Sequence, residues 1–423
     1  MREAIQKLYR EVEEALPERP QWVRIFKNCF SNTLEQALVP MEDGGVFVLT
    51  GDIPAMWLRD SSAQVRPYIF LAAESAEIRD LICRVIRTQI SCILHDPYAN
   101  AFNQKADGRG HGATDHTDMT PFIWERKYEV DSLCYPMQLA YLLYANTGER
   151  AHFTRDFYTA MKSIYRLWKL EQRHESSPYR FERDTDRCWD TLERRGLGPE
   201  CAFTGMTWSG FRPSDDHCEY SYLVPSNMFA VVVLGYMAEI AKEIYTDAAL
   251  ADACLLLREE IEAGIRRYGI VTDEDGEQLY AFEVDGLGHH KLMDDGNVPN
   301  ILSAPYLGYP VDDAVYKKTM DRIFSPRNPY YYEGSQAAGL GSSHTWEHYI
   351  WHISMAMEGL VSNDPAKKAK ILDQMAATDG GTGFMHESFH VDDPTKYTRE
   401  WFSWPNMLFC ELVLDYMGHS LRR

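Results

Sequence analysis

AEIRDLICRVIRTQISCILH (76–95) carries Ile78, Leu81, Ile82, Val85, Ile86, Ile90 and Ile93 at steps of three and four, an apolar stripe along one face of a helix. Similar stripes recur around 130–147, 153–172, 226–245, 247–267, 345–360, 365–377 and 404–418. With the N-terminal segment, where Ile5, Leu8, Tyr9, Val12 and Leu16 keep helical spacing, and the stretch after Ser61, this predicts about ten to twelve helices packed on one another. Two strand-like runs, GGVFVLT (44–50) and QLYAFEV (278–284), are bounded by glycine and acidic turn residues and read as hairpins decorating the loops. The expected class is therefore all-α with small β-hairpins.

At 423 residues with 45% hydrophobic content, the chain is long enough to bury a large core. No Ser/Gly/Pro-rich linker, charge block or strict repeat divides it, so a single domain over 1–423 is the simpler reading. The net charge of −20, from 63 acidic and 43 basic residues, repels phosphate backbones and anionic lipid, which argues against nucleic-acid and membrane-surface partners. The longest apolar run, Met228 to Ala238, stops at Glu239, short of the roughly 20 residues needed to span a bilayer, and reads as a buried helix segment. Nine widely spaced cysteines without a C-x-x-C pair suggest neither a disulfide framework nor a zinc site. With no apolar signal-peptide core at the N-terminus, reduced thiols in a cytoplasm are expected.

The helices carry the aliphatic residues, and the loops between them are rich in Trp, Tyr, Asp, Glu, His and Asn, so function is expected on the loops. In GDIPAMWLRDSS (51–62), Trp57, Arg59 and Asp60 set a flat apolar face beside a charged donor and acceptor, a combination suited to stacking on sugar C–H faces and bonding vicinal hydroxyls. The alternative is an Arg59–Asp60 structural pair capping the next helix. HGATDHTD (111–118) and WERKYEVDS (124–132) crowd His111, Asp115, His116, Asp118, Glu125, Glu129 and Asp131 together without fixed metal-ligand spacing, so hydrogen-bond networks are favoured over a metal and no metal is expected. Glu129 and Asp131 are candidate acceptors for sugar hydroxyls, or else acids placed by a helix dipole.

TGMTWSGFRPSDDHCEYSYLVPSN (204–227) offers Trp208, Arg212, Asp215 and Asp216 on an irregular loop before a helix starting near Pro225. Two adjacent carboxyls can hold one acid partly protonated, because desolvation and a like charge both raise its pKa, as a general acid requires. One of the two is also expected to do no more than satisfy turn and cap donors. Glu387, between two histidines in DGGTGFMHESFHVDD (379–393), could activate water, and Trp404 follows in TREWFSWPN (398–406). MDDGNVPN (293–300) and GLGSSHTWEHYIW (339–351) add Asp294, Asn297, His344 and Trp346, or are turn chemistry around Gly and Asn. No phosphate cradle, nucleophile elbow or zinc signature is present, and paired carboxylates for glycosidic cleavage use such parts.

With these residues in hand, the chain resembles glycoside hydrolase family 125, exo-acting α-1,6-mannosidases. The resemblance runs in order through FVLTGDIPAMWLRDSSAQ, DHTD, WERKYEVDSLCYP, TGMTWSGFRPSDD, YAFEVDGLG, MDDGNVP, GLGSSHT, MHESFHVDDP and REWFSWPN, nearly the whole chain. It implies an (α/α)6 barrel with the site in the loops at one end, and inversion at the anomeric carbon with neither metal nor cofactor. It also implies an aspartic acid of the SDD segment as general acid, Asp215 taken over Asp216, and Glu387 as general base. Arg59, Asp60 and the acids at 129–131 would then hold the hydroxyls of a terminal α-1,6-linked mannose on an oligosaccharide partner. Rival readings are another (α/α)6 glycosidase specificity and an inactive glycan-binding protein, against which the opposed acid pair argues.

Overall fold

The computed structural model describes residues 1–422. Eleven of its helices run nine residues or more, and no sheet among the described residues exceeds three strands, so the molecule is helix packed on helix as the periodicity predicts. Two kinds of helix alternate along the chain. Ala76–His95 and Arg155–Glu171 bury one stripe, with 9 of 20 and 7 of 17 residues inside, whereas Val130–Thr147 buries 14 of 18, Val224–Glu243 16 of 20 and Ser403–Tyr416 12 of 14. A helix apolar or buried all round belongs to an inner layer and a striped one to the surface.

The inner elements pack on each other in series. Leu58–Ala63 lies against Val130–Thr147, that helix against Val224–Glu243, and that one against the short Ala304–Leu307. On the other side Ser403–Tyr416 contacts both Leu58–Ala63 and His352–Leu360. Outside them sit Pro20–Asn32 on Ser403–Tyr416, Ala76–His95 on Val130–Thr147, Ala248–Gly264 on Val224–Glu243, and Pro365–Ala377 on His352–Leu360. One continuous cluster of buried apolar side chains runs through these layers from Leu8 to Leu414. The apolar run Met228–Ala238 is the middle of Val224–Glu243, a helix long and apolar enough to cross a membrane but enclosed here by protein.

Each inner helix starts directly after one of the acid- and aromatic-rich loops, and the small sheets stiffen those loops. Met56–Trp57, Ala101–Phe102 and Ile123–Glu125 form one antiparallel sheet; Tyr349–Trp351, Ser388–His390 and Asp393–Thr398 form another. Val46–Val48 pairs with Leu38–Pro40, the hairpin expected at 44–50. Two expectations need correction. The run 278–284 is two strands: Gln278–Tyr280 pairs with Ile270–Thr272, and Glu283–Val284 joins Tyr222–Leu223 and His290–Lys291, because the amides of Ala281 and Phe282 turn to Gly269 and Lys291. The helix expected over 345–360 begins only at His352, the preceding residues being claimed by the strand Tyr349–Trp351.

The loops at 50–53 and 399–402 are zipped together. Asp52 N donates to the Trp401 carbonyl at 3.2 Å, and Arg399 donates to Asp52 Oδ1 and to the Thr50 carbonyl at 2.6 Å. Gly51 makes the approach possible: its φ is +58°, and a Cβ there would stand 2.3 Å from the Trp401 carbonyl oxygen. Gly51→Ala is expected to cost about 1–3 kcal/mol, read as a lower urea midpoint with an unchanged slope. An unshifted midpoint would show that the two loops can part freely.

Candidate active site

A cleft of about 760 Å³ opens among the loops, and a narrow inner recess of about 40 Å³ lies beyond it. Ile53, Trp57, Asp215, His344 and Glu387 line both, so they form the neck between the chambers. The recess continues past Arg59, Asp60 and Asn297 to Trp351, Phe402 and Trp404.

The neck is positioned from within the core. Arg59, in the first turn of Leu58–Ala63, is 2% exposed; its Nη1 donates to Glu129 Oε2 at 2.7 Å and to Asp131 Oδ2 at 3.0 Å. Its Nε stands 3.7 Å from Asp60 Oδ2, and its Nη2 3.7 Å from Asp215 Oδ1. Ser132 donates to Glu129 at 2.7 Å and Ser226 to Asp131 at 3.2 Å, tying in the helices that begin at Val130 and Val224. One guanidinium thus faces four carboxyls. Burial pushes Glu129 and Asp131 above the usual carboxylate range despite the attraction of Arg59. Burial likewise raises Asp60 to about 6, with Arg59 and Arg399 opposing and Asp215 adding to the rise.

Asp215 is held in a left-handed backbone conformation, φ +67°, which a non-glycine residue adopts at a cost and keeps where surroundings dictate it. Its amide donates to the Arg212 carbonyl at 2.9 Å, and its own carbonyl accepts from Lys127 Nζ at 2.7 Å. Asn100 Nδ2 donates to Asp215 Oδ1 at 3.3 Å, and the side chain stays 27% exposed. Asp216 is buried, with Ser343 donating to Oδ2 and His344 Nδ1 3.5 Å from Oδ1. Burial pushes its carboxyl up, but the hydrogen bonds and charges of His344, with Ser343 and Arg212, outweigh that and hold it below the usual range. Asp216 is therefore not the acid of the pair whose pKa is raised. Glu387 stands just before the strand Ser388–His390, with Arg399 Nη1 3.9 Å from its Oε1.

Of the residues singled out in the sequence, Trp57, Arg59, Asp60, Asp215, Asn297, His344, Glu387 and Trp404 line the recess, and Asp216 lines the outer cleft. Five proposed sugar contacts line neither chamber. Glu129 and Asp131 lie behind Arg59 and orient it. Trp208 is wholly buried, stacked on His174 at 3.4 Å, and so presents no face to a ligand. Arg212 donates to Glu283 Oε1 at 2.5 Å, and the Asp294 carboxylate accepts the amides of Ile301 and Leu302 at 2.9 Å each. Asp115 and Glu125 are taken by one basic partner: Arg183 donates to Asp115 at 2.6 and 2.8 Å and to Glu125 at 2.8 Å. Among the described residues the one acidic trio with metal-like geometry, Asp273 to Asp275, is paired with Arg322 and Arg327. Sequence reasoning missed Asn100, Lys127, Arg183 and Arg399. Lys127 and Arg399 stand inside quoted motifs; Arg183 reaches the outer cleft, and Asn100 reaches Asp215, from segments that no motif marks.

Residues 19–414 match the family model of metal-independent α-mannosidases, GH125. A Streptococcus pneumoniae metal-independent α-mannosidase, solved in a non-productive substrate complex with α-1,6-mannobiose, is 55% identical, with 99% of each chain covered and a TM-score of 0.98. The meiotically up-regulated gene 157 protein of Schizosaccharomyces pombe is 35% identical over 98% of this chain and 86% of its own length. A wild-type glycosidase at 12% identity still superposes with a TM-score of 0.59 over 95% of this chain and 98% of its own, a likeness of fold alone. The chain belongs to the GH125 family of metal-independent α-mannosidases.

Proposed function

We propose that this α-mannosidase is exo-acting, releases one terminal α-1,6-linked mannose at a time, and inverts the anomeric carbon, with Asp215 as general acid and Glu387 as general base. The observation that carries this reading is the neck: both carboxyls belong to the wall shared by a narrow recess and an open cleft. A terminal sugar seated at the neck, against the recess residues, places its glycosidic oxygen beside both carboxyls and the rest of the glycan in the cleft. The α-1,6 linkage is supported by the mannobiose held in the 55% identical S. pneumoniae structure.

In a single displacement, Asp215 gives its proton to the departing oxygen while Glu387 takes one from the water attacking C1, which asks for carboxyls roughly 6.5–9.5 Å apart. Asp215 suits the acid role better than Asp216. It is partly exposed at the neck, whereas Asp216 is buried, engaged at both oxygens and held toward its ionised form. Arg399 Nη1 stands 3.9 Å from Oε1 of Glu387, the proposed base. Arg59, Asp60 and Asn297 would hold the mannose hydroxyls, with Trp57 and Trp404 as apolar walls.

The alternation of inner and outer helices, with six inner starts after the loops that build the site, supports an (α/α)6 barrel. The continuous core supports one domain. With its thiols reduced, the enzyme would act in the cytoplasm on imported, partly degraded oligosaccharides.

Proton NMR of α-1,6-mannobiose hydrolysis should show β-mannose first, before mutarotation; α-mannose first would require a covalent nucleophile and overturn inversion. Glu387→Gln and Asp215→Asn should each lower kcat by about 10²–10⁴-fold with sugar binding retained, and Asp216→Asn by less; the reverse order would move the acid to Asp216. Because Asp60 titrates near 6, its carboxylate, the form that accepts from two hydroxyls, is lost as pH falls through that value. KM should therefore rise below about pH 6, and Asp60→Asn should raise KM and remove that dependence.

A further inference from the structure

The outer cleft is larger than one leaving sugar needs. A volume of about 760 Å³ lies within the range that encloses a whole drug-sized ligand, several times one small ring. It also holds the chain's exposed indoles. Of ten tryptophans only Trp189 and Trp346 are exposed, at 46% and 67%, and both line this cleft. Exposed indoles cost solvation, and where they share a cleft with catalytic carboxyls a ligand surface is the physical explanation.

Both loops are held in place. The Trp189 carbonyl accepts from the His217 amide at 2.8 Å, and its neighbour Asp190 accepts from Lys127 at 2.5 Å and Arg183 at 3.0 Å. Trp346 packs edge-on against Tyr349, with centroids 5.3 Å apart. Its loop is pinned by Ser342 donating to Asp295 at 2.9 Å and by Ser343 donating to Asp216, the residue next to the proposed acid. A rigid aromatic loses little freedom on binding.

We propose that Trp346 and Trp189 form a built subsite for the sugar beyond the leaving sugar, so that the preferred substrate is an α-1,6-linked mannose chain of at least three residues. The inference rests on the exo-α-1,6-mannosidase reading above and extends it outward from the neck. The ligand is the glycan's own next ring, because the cleft is continuous with the recess through Asp215 and Glu387. Binding energy gathered there, remote from the reacting bond, can be used at the transition state.

The test compares kcat/KM for linear α-1,6-mannotriose and α-1,6-mannobiose in the full-length enzyme. Wild type should favour the trisaccharide by about five- to tenfold, the gain of one aromatic contact. Trp346→Ala should bring the ratio close to one, and Trp346→Phe, which keeps a ring, should restore most of it. A merely structural role would lower both substrates alike and leave the ratio unchanged, which would overturn the proposal. Equal rates on both substrates in wild type would also overturn it while leaving the mannosidase reading standing. Hydrolysis of neither would overturn that reading and this one together.

Discussion

The site depends on one buried guanidinium. Arg59 sits against Glu129, Asp131, Asp60 and Asp215, residues contributed by three separate segments of the chain, and among the described residues no second arginine donates to this group of acids. In water such a cluster would disperse. Inside a protein each uncompensated charge costs several kcal/mol, so removing the shared cation from a buried ion cluster typically costs about 3–5 kcal/mol. The arrangement therefore fixes where the helix starting at Leu58 stands relative to those starting at Val130 and Val224. Burial raises Glu129, Asp131 and Asp60 together, against the attraction of that one guanidinium.

Around that centre, adjacent residues divide the work. Asp215 and Asp216 are neighbours in sequence, yet the left-handed turn at Asp215 sends their side chains to different partners. Asp216 anchors the loop that carries His344 and Trp346, while Asp215 stays at the neck within reach of Arg59 and Asn100. Asn297 donates to the Pro213 carbonyl at 2.8 Å, so the loop at 293–300 braces the same turn from behind. The turn bearing the proposed acid is thus fastened from several directions, as a group that must meet one glycosidic oxygen repeatedly requires.

How much of this was legible in the sequence follows from the range of the forces involved. The striped helices, Ala76–His95 above all, declare themselves because one face meets water and the other oil. Arg59, Asp215 and Glu387 could be found because charged residues set among glycine and aromatics in loops have few structural uses. What failed was the direction a side chain takes. Trp208 has the setting of a sugar platform, but Gly198 and Gly210 leave room for the indole to turn inward onto His174. Arg212 finds Glu283 some seventy positions away, and Asp294 caps amides seven and eight residues on; spacing encodes neither outcome. Arg183 escaped notice for the same reason, since its worth lies in Asp115 and Glu125, which a distant strand brings to it.

The helix layout also explains how so acidic a centre can exist in a chain of net charge −20. Asp60 lies in the first turn of Leu58–Ala63 and Asp131 in the first turn of Val130–Thr147, where the unpaired amides and the positive end of the helix dipole favour a carboxylate. Each such contact offers about 0.3–1 kcal/mol, and up to about 2 when partly buried. That is too little alone to offset burial, which still raises Asp60 and Asp131, but it acts in the same direction as the attraction of Arg59. Starting the inner helices at the site end is therefore more than a packing convenience. It supplies part of the positive potential that lets several carboxyls gather around one arginine.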